Sequence, residues 1–282
     1  MAEPSSELPS GLYVVATPLG HARDITLRAL DVLAGVDLIL CEDTRTTGKL
    51  LRYHNIITPM RSYHDHNERA ATDRALTLLA QGQALALVSD AGTPLVSDPG
   101  YRLTRAARKA GFAVHAVPGP SAPIAALSVA GLASDRFCFL GFLPPKSAAR
   151  RSALAQLVPE MGTIILFESP RRLASVCEDI GATLGACEIT VARELTKTYE
   201  EVVSGTAEEL AAHFADHPPK GECVVLIERI AATTANDIDL DALLIDEMKT
   251  LSMRDAARAV ALKTGLSRKI VYDRALALGR ST

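Results

Sequence analysis

The chain has 282 residues, 48% of them hydrophobic and 22% charged, with a formal net charge of −3. That length exceeds one typical domain and supplies more than one core, while a near-neutral total excludes a wholly basic nucleic-acid binder. No run of eighteen apolar residues occurs, and residues 1–10 form a polar, proline-containing tail without the regions of a signal peptide, so a soluble cytoplasmic protein with a disordered N-terminal tail is expected. A strand is predicted over 11–16, followed by a loop over 17–24 and a helix over about 25–34. The apolar run Leu38-Ile39-Leu40-Cys41 is a second strand, ending in Glu42-Asp43-Thr44-Arg45, from which a short helix through Leu50 and Leu51 departs. A polar segment over 63–68 leads into a helix to about residue 80. Then Ala84-Leu85-Ala86-Leu87-Val88 reads as a buried parallel strand.

The loop that follows, residues 89–100 (SDAGTPLVSDPG), offers a core almost nothing. Two glycines let backbone approach a ligand, two prolines stiffen it, and Asp90 and Asp98 supply carboxylates. A plain turn would use the same residue types, but the loop's length and its place at a strand's carboxyl end favour ligand binding. A helix begins near Tyr101, and Asp98 is placed to cap it. A strand over 113–117 ends in Pro118-Gly119-Pro120-Ser121 and an alanine-rich helix to 132. Strand and helix alternate to this point, which predicts a parallel sheet with helices on both faces over 11–131.

Beyond residue 131 strands come closer together, and a second α/β layer is expected over 132–232. Its elements are an apolar run over 137–143, a helix over 147–157, a strand over 163–167, strands over 188–194, 199–204 and 222–230, and a helix over 206–214. Ser169 before Pro170 fits a helix N-cap with proline in the first turn. Residues 231–239 are small and polar and read as a linker. The remainder, 240–282, is a helical tail. Ser252-Met253-Arg254-Asp255 has capping-box form for a helix ending near Gly265, and Ser267 can cap another. From Lys249 onward eight Lys or Arg face two Asp, so this segment carries +6 and the rest −9. Helix, glycine turn and basic helix make a helix-turn-helix pattern that favours nucleic acid over a pair of packing helices.

Chemistry concentrates on four polar loops at strand ends: 17–24, 42–45, 89–100 and 118–121. Together they form one pocket wall, and the second layer supplies the other through Phe167-Glu168 and Val191-Ala192-Arg193-Glu194. No Gly-x-Gly-x-x-Gly follows the first strand and no P-loop pattern occurs, which removes the dinucleotide and P-loop readings. His64-Asp65-His66 has no third ligand, and the five cysteines (Cys41, Cys138, Cys177, Cys187, Cys223) contain no CxxC pair; packed thiols and no metal are expected. Glu168, Arg171, Arg172, Arg193, Glu194 and Lys197 form a charged cluster that a structural ion-pair network explains as well as a functional site does.

Four stretches, residues 12–20 (LYVVATPLG), 89–100, 117–122 (VPGPSA) and 167–172 (FESPRR), resemble the tetrapyrrole methylase superfamily. Within it, residues 42–47 (EDTRTT), 90–94 (DAGTP) and the basic tail resemble the ribosomal small-subunit RNA methyltransferase I family, cytidine 2′-O-methyltransferases, over about residues 11–280. The superfamily often has Gly-Asp-Pro where this chain has Ser89-Asp90-Ala91. The resemblance implies two α/β domains, a homodimer, and S-adenosylmethionine bound in the interdomain cleft. It also implies methylation of one ribose hydroxyl in the decoding region of 16S ribosomal RNA, in the small ribosomal subunit. By motif matching, Leu19, Asp90, Thr93, Ser121 and Ala122 line the cofactor site from the first domain, Phe167 and Ala192 from the second, and Asp90 orients the cofactor.

Transfer of a methyl group to a ribose oxygen needs alignment first and gains from a base. The sequence leaves Glu42, Asp43, Glu194 and a neutralised Lys197 open for that role. Arg45, Lys146, Arg150, Arg151 and Arg171 are candidate phosphate contacts, with Arg268 and Lys269 in the tail. Two rivals stand beside this reading: a non-catalytic RNA-binding assembly factor, and a methyltransferase acting on a small tetrapyrrole.

Overall fold

The computed structural model describes residues 8–158, 161–228, 240–249, 251–264 and 268–279. They fall into two compact units, Met1–Ile230 and Ala231–Thr282. The first unit opens with β1 (Gly11–Val15), α1 (Leu27–Gly35), β2 (Leu38–Cys41), α2 (Thr44–Tyr53), β3 (Met60–Ser62), α3 (Glu68–Ala80), β4 (Ala84–Val88), α4 (Tyr101–Lys109), β5 (Val114–Val117) and α5 (Ala122–Val129). The five strands form one parallel sheet in the order β3-β2-β4-β1-β5. β2 and β4 are buried at every residue, as strands covered on both faces must be. On one face Val15, Ile39 and Ala86 pack with Val32 and Leu33 of α1 and Leu51 of α2. On the other, Leu12, Leu40, Leu85 and Leu87 pack with Ala75 and Leu79 of α3 and Leu103 and Ala107 of α4.

α1 starts later than its apolar pattern suggests, because the Thr26 hydroxyl accepts the Ala29 N–H (3.1 Å) and sets the cap. β3 has no apolar signal: it is a three-residue edge strand of half-buried and exposed residues paired only to β2, the short form in which sheet edges are kept from further pairing.

The second sheet uses β6 (Phe137–Phe142), β7 (Thr163–Glu168), β8 (Glu188–Arg193), β9 (Glu201–Thr206) and β10 (Cys223–Ile227), in the order β6-β7-β10-β8-β9. β6 and β7 are parallel; every other pair is antiparallel. α6 (Ser147–Leu154), α7 (Leu173–Leu184) and α8 (Ala207–Asp216) cover one face, where Leu154, Val176, Ile180, Leu210 and Phe214 meet Ile164, Leu166, Val191 and Val225. α8 begins with a full capping box, Thr206 with Glu209. Ser169 stands at the N-cap position with Pro170 in the first turn, as expected, but its side chain makes no capping hydrogen bond. Pro170–Arg172 is a turn of 3-10 helix, and α7 starts only at Leu173.

The other face of this sheet is covered by α5. Ala126, Leu127 and Ala130 pack with Ile165, Ala192, Val224 and Leu226. The helix that follows the last parallel strand thus lies on the second sheet, across the residue at which composition places a domain edge. All five cysteines are unpaired. Burial raises the Cys41 and Cys223 thiols to about 11 and Cys177 to about 12, so these thiols are inert packing groups.

The second unit contains α9 (Leu240–Met248), α10 (Met253–Thr264) and α11 (Arg268–Gly279) around Leu240, Leu244, Ala257, Val260, Val271 and Ala275. α10 and α11 match the two predicted helices; α9 is hidden in what composition shows only as a tail. The Ser252 hydroxyl accepts the Asp255 N–H (3.3 Å), as the capping pattern predicts. Gly265, Ser267, the linker over 231–239 and residues 1–7 of the tail lie outside the described residues, as do the side chains of Arg268 and Lys269. Among the described residues no helix is long and apolar enough to cross a membrane.

Candidate active site

Neighbouring strands β1 and β4 send their chains to opposite faces of the parallel sheet, through α1 and α4. A crevice opens where such connections diverge. The two loops are tied there by a short antiparallel bridge: Thr17 N–H donates to the Gly92 carbonyl (2.8 Å) and Gly92 N–H to the Thr17 carbonyl (3.0 Å). The Thr93 hydroxyl donates to the Pro120 carbonyl (2.9 Å), joining the loop after β5 to the same platform. Gly92 holds φ +79°, and a Cβ there would lie 3.2 Å from the Leu19 side chain, so glycine is what lets this bridge form.

These loops and the second sheet enclose a cleft of about 350 Å³. One wall is polar: Asp90, Thr93, Asp98 and Ser121 with Leu19 and Ala122. The other is Phe142, Phe167, Val224 and the backbone at Gly221–Glu222. Phe139 and Phe142 pack edge-on against Phe167, with centroids 4.8 and 5.6 Å away. Phe142 reaches the cleft because β6 shifts register between Phe139 and Phe142, with Gly141 at φ +66°. The lone glycine inside that apolar run is the sequence signal for the bulge.

Six of the seven expected cofactor residues line this cleft. Ala192 does not: on β8 it is fully buried beneath α5, opposite Val224 of β10. Strand order explains this, since the cleft reaches β10 but stops short of β8.

The four candidate bases separate on geometry. Asp43 caps α2, accepting the Arg45 N–H (2.8 Å) and pairing with its guanidinium (2.6 Å), which holds its carboxyl down at about 2. Glu194 and Lys197 are ion-paired (2.9 Å), and Lys197 also meets Glu222 (3.2 Å). The expectation of a neutralised Lys197 is therefore overturned. Burial disfavours its charge, yet Glu194 and Glu222 outweigh that and raise its pKa. Glu42 is raised by burial and by Asp90 and Asp65, but it is not in the lining.

Asp98 does not cap α4, although its position in the sequence suggests it: Gly100 occupies the N-cap and no side chain bonds there. Instead its carboxyl lines the cleft, and burial, together with Glu42, Asp90 and Glu222, raises its pKa to about 6, against a hydrogen bond from Ser89. Asp90 is raised by burial as well, while accepting the Asp43 N–H (3.1 Å).

The backbone is held in uncommon conformations at both loops near the cleft. Leu95 and Ser97 take φ +74° and +67°, and Glu194 and Thr196 +50° and +64°. Each costs on the order of 1–3 kcal/mol unless its surroundings fix it. Around Glu194 they do. Its carboxylate accepts the Glu222 N–H (3.1 Å), its N–H donates to the Glu222 carbonyl (3.0 Å), and a Cβ on Gly221 would collide with it.

Of the candidate phosphate contacts, Arg150 is excluded. It is 3% exposed and pairs with Asp179 at 2.5 Å, so it is a structural residue. Arg45 is tied to Asp43, and Arg151 lies 3.5 Å from Asp179 with its side chain half exposed. Lys146 and Arg171 are exposed.

Residues 11–211 match the family Tetrapyrrole (Corrin/Porphyrin) Methylases, and residues 234–279 the family RsmI C-terminal HTH domain. A Mesorhizobium japonicum protein named ribosomal RNA small subunit methyltransferase I is 45% identical over 280 residues, covering 98% of this chain and 94% of that one. The chain belongs to this family. Its Escherichia coli O157:H7 relative of the same name is 46% identical, covering 94% of each chain. The fold is that of the tetrapyrrole methylases: a Thermus thermophilus uroporphyrin-III C-methyltransferase, solved with S-adenyl homocysteine, superimposes with TM-score 0.54 at 16% identity, covering 78% of this chain and 98% of that one. As a member of the methyltransferase I family the protein is a methyltransferase.

Proposed function

We propose that the enzyme transfers a methyl group from S-adenosylmethionine to the 2′-oxygen of a cytidine ribose in the decoding region of 16S ribosomal RNA. The observation that carries this reading is that the family match runs through both units, including the three-helix tail. An enzyme for small tetrapyrroles would share only the cleft-forming fold.

The cleft suits the cofactor chemically. Its carboxylates, Asp90 and Asp98, complement a cation, and Phe142, Phe167 and Val224 offer an apolar surface for a heterocycle, in a volume typical of small-molecule sites. S-adenosylmethionine supplies an electrophilic methyl carbon on a sulfonium. Held by these residues, it would supply that methyl group to the ribose oxygen, whose proton must pass to a group of the protein.

Asp98 is the residue placed to take that proton. A carboxyl near 6 is ionised at neutral pH yet more basic than an ordinary aspartate, the condition for an effective base. Asp90, fixed by the Asp43 N–H, orients the cofactor, and the Phe142–Phe167 wall packs against its apolar part. The enzyme works in the cytoplasm as a homodimer; Ile124 and Val129 on α5 and Phe137 and Leu140 on the edge strand β6 are exposed apolar side chains of the kind subunits bury. The test is to map 2′-O-methyl marks on 16S RNA from cells lacking the protein, then restore them with purified enzyme. Loss of one cytidine mark is expected, and an unaltered map would overturn the proposal.

A further inference from the structure

A second cavity, of about 600 Å³, runs along the exposed side of α4 and shares Asp98 with the cofactor cleft. Tyr101, Arg105 and Lys109 stand at i, i+4 and i+8 on α4 and so follow one helix face, about 6 Å apart along the axis. Tyr101 is 66% exposed, unusual for a large aromatic with no core to join. The Arg105 guanidinium lies 6.0 Å from its ring centroid, and its Nη1 donates to the Tyr101 hydroxyl (3.4 Å). The cavity also contains acids. Glu68 is consumed by Arg102 (3.1 Å) and by the Tyr63 hydroxyl (3.2 Å), leaving Asp65 at the rim and Asp98 at the junction.

An exposed aromatic ring followed by two cations along one groove is the pattern on which single strands lie, bases stacked and phosphates paired. We propose that this cavity seats the acceptor RNA: one base stacks on Tyr101, adjoining phosphates pair with Arg105 and Lys109, and the neighbouring ribose is delivered past the end of α4 to Asp98. The junction explains why both cavities share that carboxylate, since methyl donor and acceptor must meet at one atom. The inference rests on the RNA-methylation reading above.

The test uses the full-length enzyme, a fluorescein-labelled oligocytidylate and small ribosomal subunits lacking the mark. In Tyr101→Ala, loss of one stacked base is expected to weaken oligocytidylate binding and raise the KM for subunits by roughly 5- to 150-fold, with S-adenosylmethionine affinity and kcat within about twofold. Arg105→Ala and Lys109→Ala should each reduce the slope of log affinity against log salt by about 0.7. Tyr101→Phe and Arg105→Lys should restore binding. Cofactor affinity measured by calorimetry reports whether each variant is folded.

Unchanged RNA affinity and salt slope in folded variants would overturn the proposal. A raised KM for subunits with unchanged oligocytidylate binding would assign the groove to a protein component instead, and would overturn it too. If the wild-type enzyme binds RNA in this way but methylates no ribosomal RNA, the proposed function fails while the seat stands.

Discussion

The two walls of the cofactor cleft are built on opposite principles. The first-sheet wall consists of loops cross-tied by backbone bonds, Thr17 to Gly92 and Thr93 to Pro120, which present carboxylates. The second-sheet wall consists of strand side chains, Phe142, Phe167 and Val224, held by packing. Loops held by hydrogen bonds place charges without burying much, whereas strands place apolar surface at little entropic cost. Recognition of a charged, heterocyclic cofactor needs both, and the division predicts that polar-wall substitutions alter chemistry while apolar-wall substitutions alter affinity.

The largest expected effect is at Asp98. Asp98→Asn should lower methyl transfer by about 10²–10⁴-fold, and the wild-type rate should rise with pH through about 6 as the carboxyl ionises. Stability should move the other way. The folded pKa of Asp98 lies above its unfolded value of 3.8, so its contribution is favourable below pH 3.8 and is lost as pH rises through 6. Above that pH the ionised group is a liability of about 1 kcal/mol after allowance for its partial exposure. Thermal melts at pH 8 should therefore show Asp98→Asn more stable than wild type, with the difference vanishing near pH 4.

Next is Arg150→Ala, which takes the buried guanidinium from Asp179 in the second layer and leaves it Ser147 and the half-exposed Arg151. It should cost about 3–5 kcal/mol in denaturant titration, with no change in the salt slope of RNA binding; a lowered slope would return Arg150 to the phosphate contacts. Phe167→Ala tests the apolar wall. It should weaken S-adenosylmethionine binding by about 10- to 100-fold in calorimetry, from loss of a buried aromatic contact, and leave the pH midpoint of the rate near 6. A moved midpoint would show that the walls do not act separately. Arg45→Ala is the smallest: its pair with Asp43 is exposed, so the denaturation midpoint should be unchanged, while a salt slope lowered by about 0.7 would make it a phosphate contact.

What is legible in the sequence follows from what each wall is made of. Loop residues carry their purpose in their type, so residue types alone mark the four loops and their edge of the parallel sheet. β2 and β4 are equally plain, being buried throughout. Phe142 is hidden because it depends on a bulge. Ala192 lies behind the cleft lining, packed with Phe167 and Ala122, because which strand borders a cleft is set by strand order, which a motif does not encode. Asp98 resembles a cap because it stands one turn before α4, a local argument. Its actual environment is made by burial, by Asp90 of its own loop, and by Glu42 and Glu222, which the fold brings from two other segments. Arg150 and Lys197 escape sequence reasoning for the same reason: their partners, Asp179 and Glu222, are distant along the chain.

The placement of α5 has a consequence for motion. The helix is joined to the parallel sheet through the short 118–121 turn, yet Ala126, Leu127 and Ala130 are sealed against β7 and β10. A hinge at the covalent crossover would have to peel this helix from its sheet, so relative movement of the two layers is confined to small sliding between packed faces. The cofactor then meets a receptacle that is open and rigid in advance. Its association should be a single kinetic phase whose rate grows linearly with concentration, without the plateau that a slow closing step imposes.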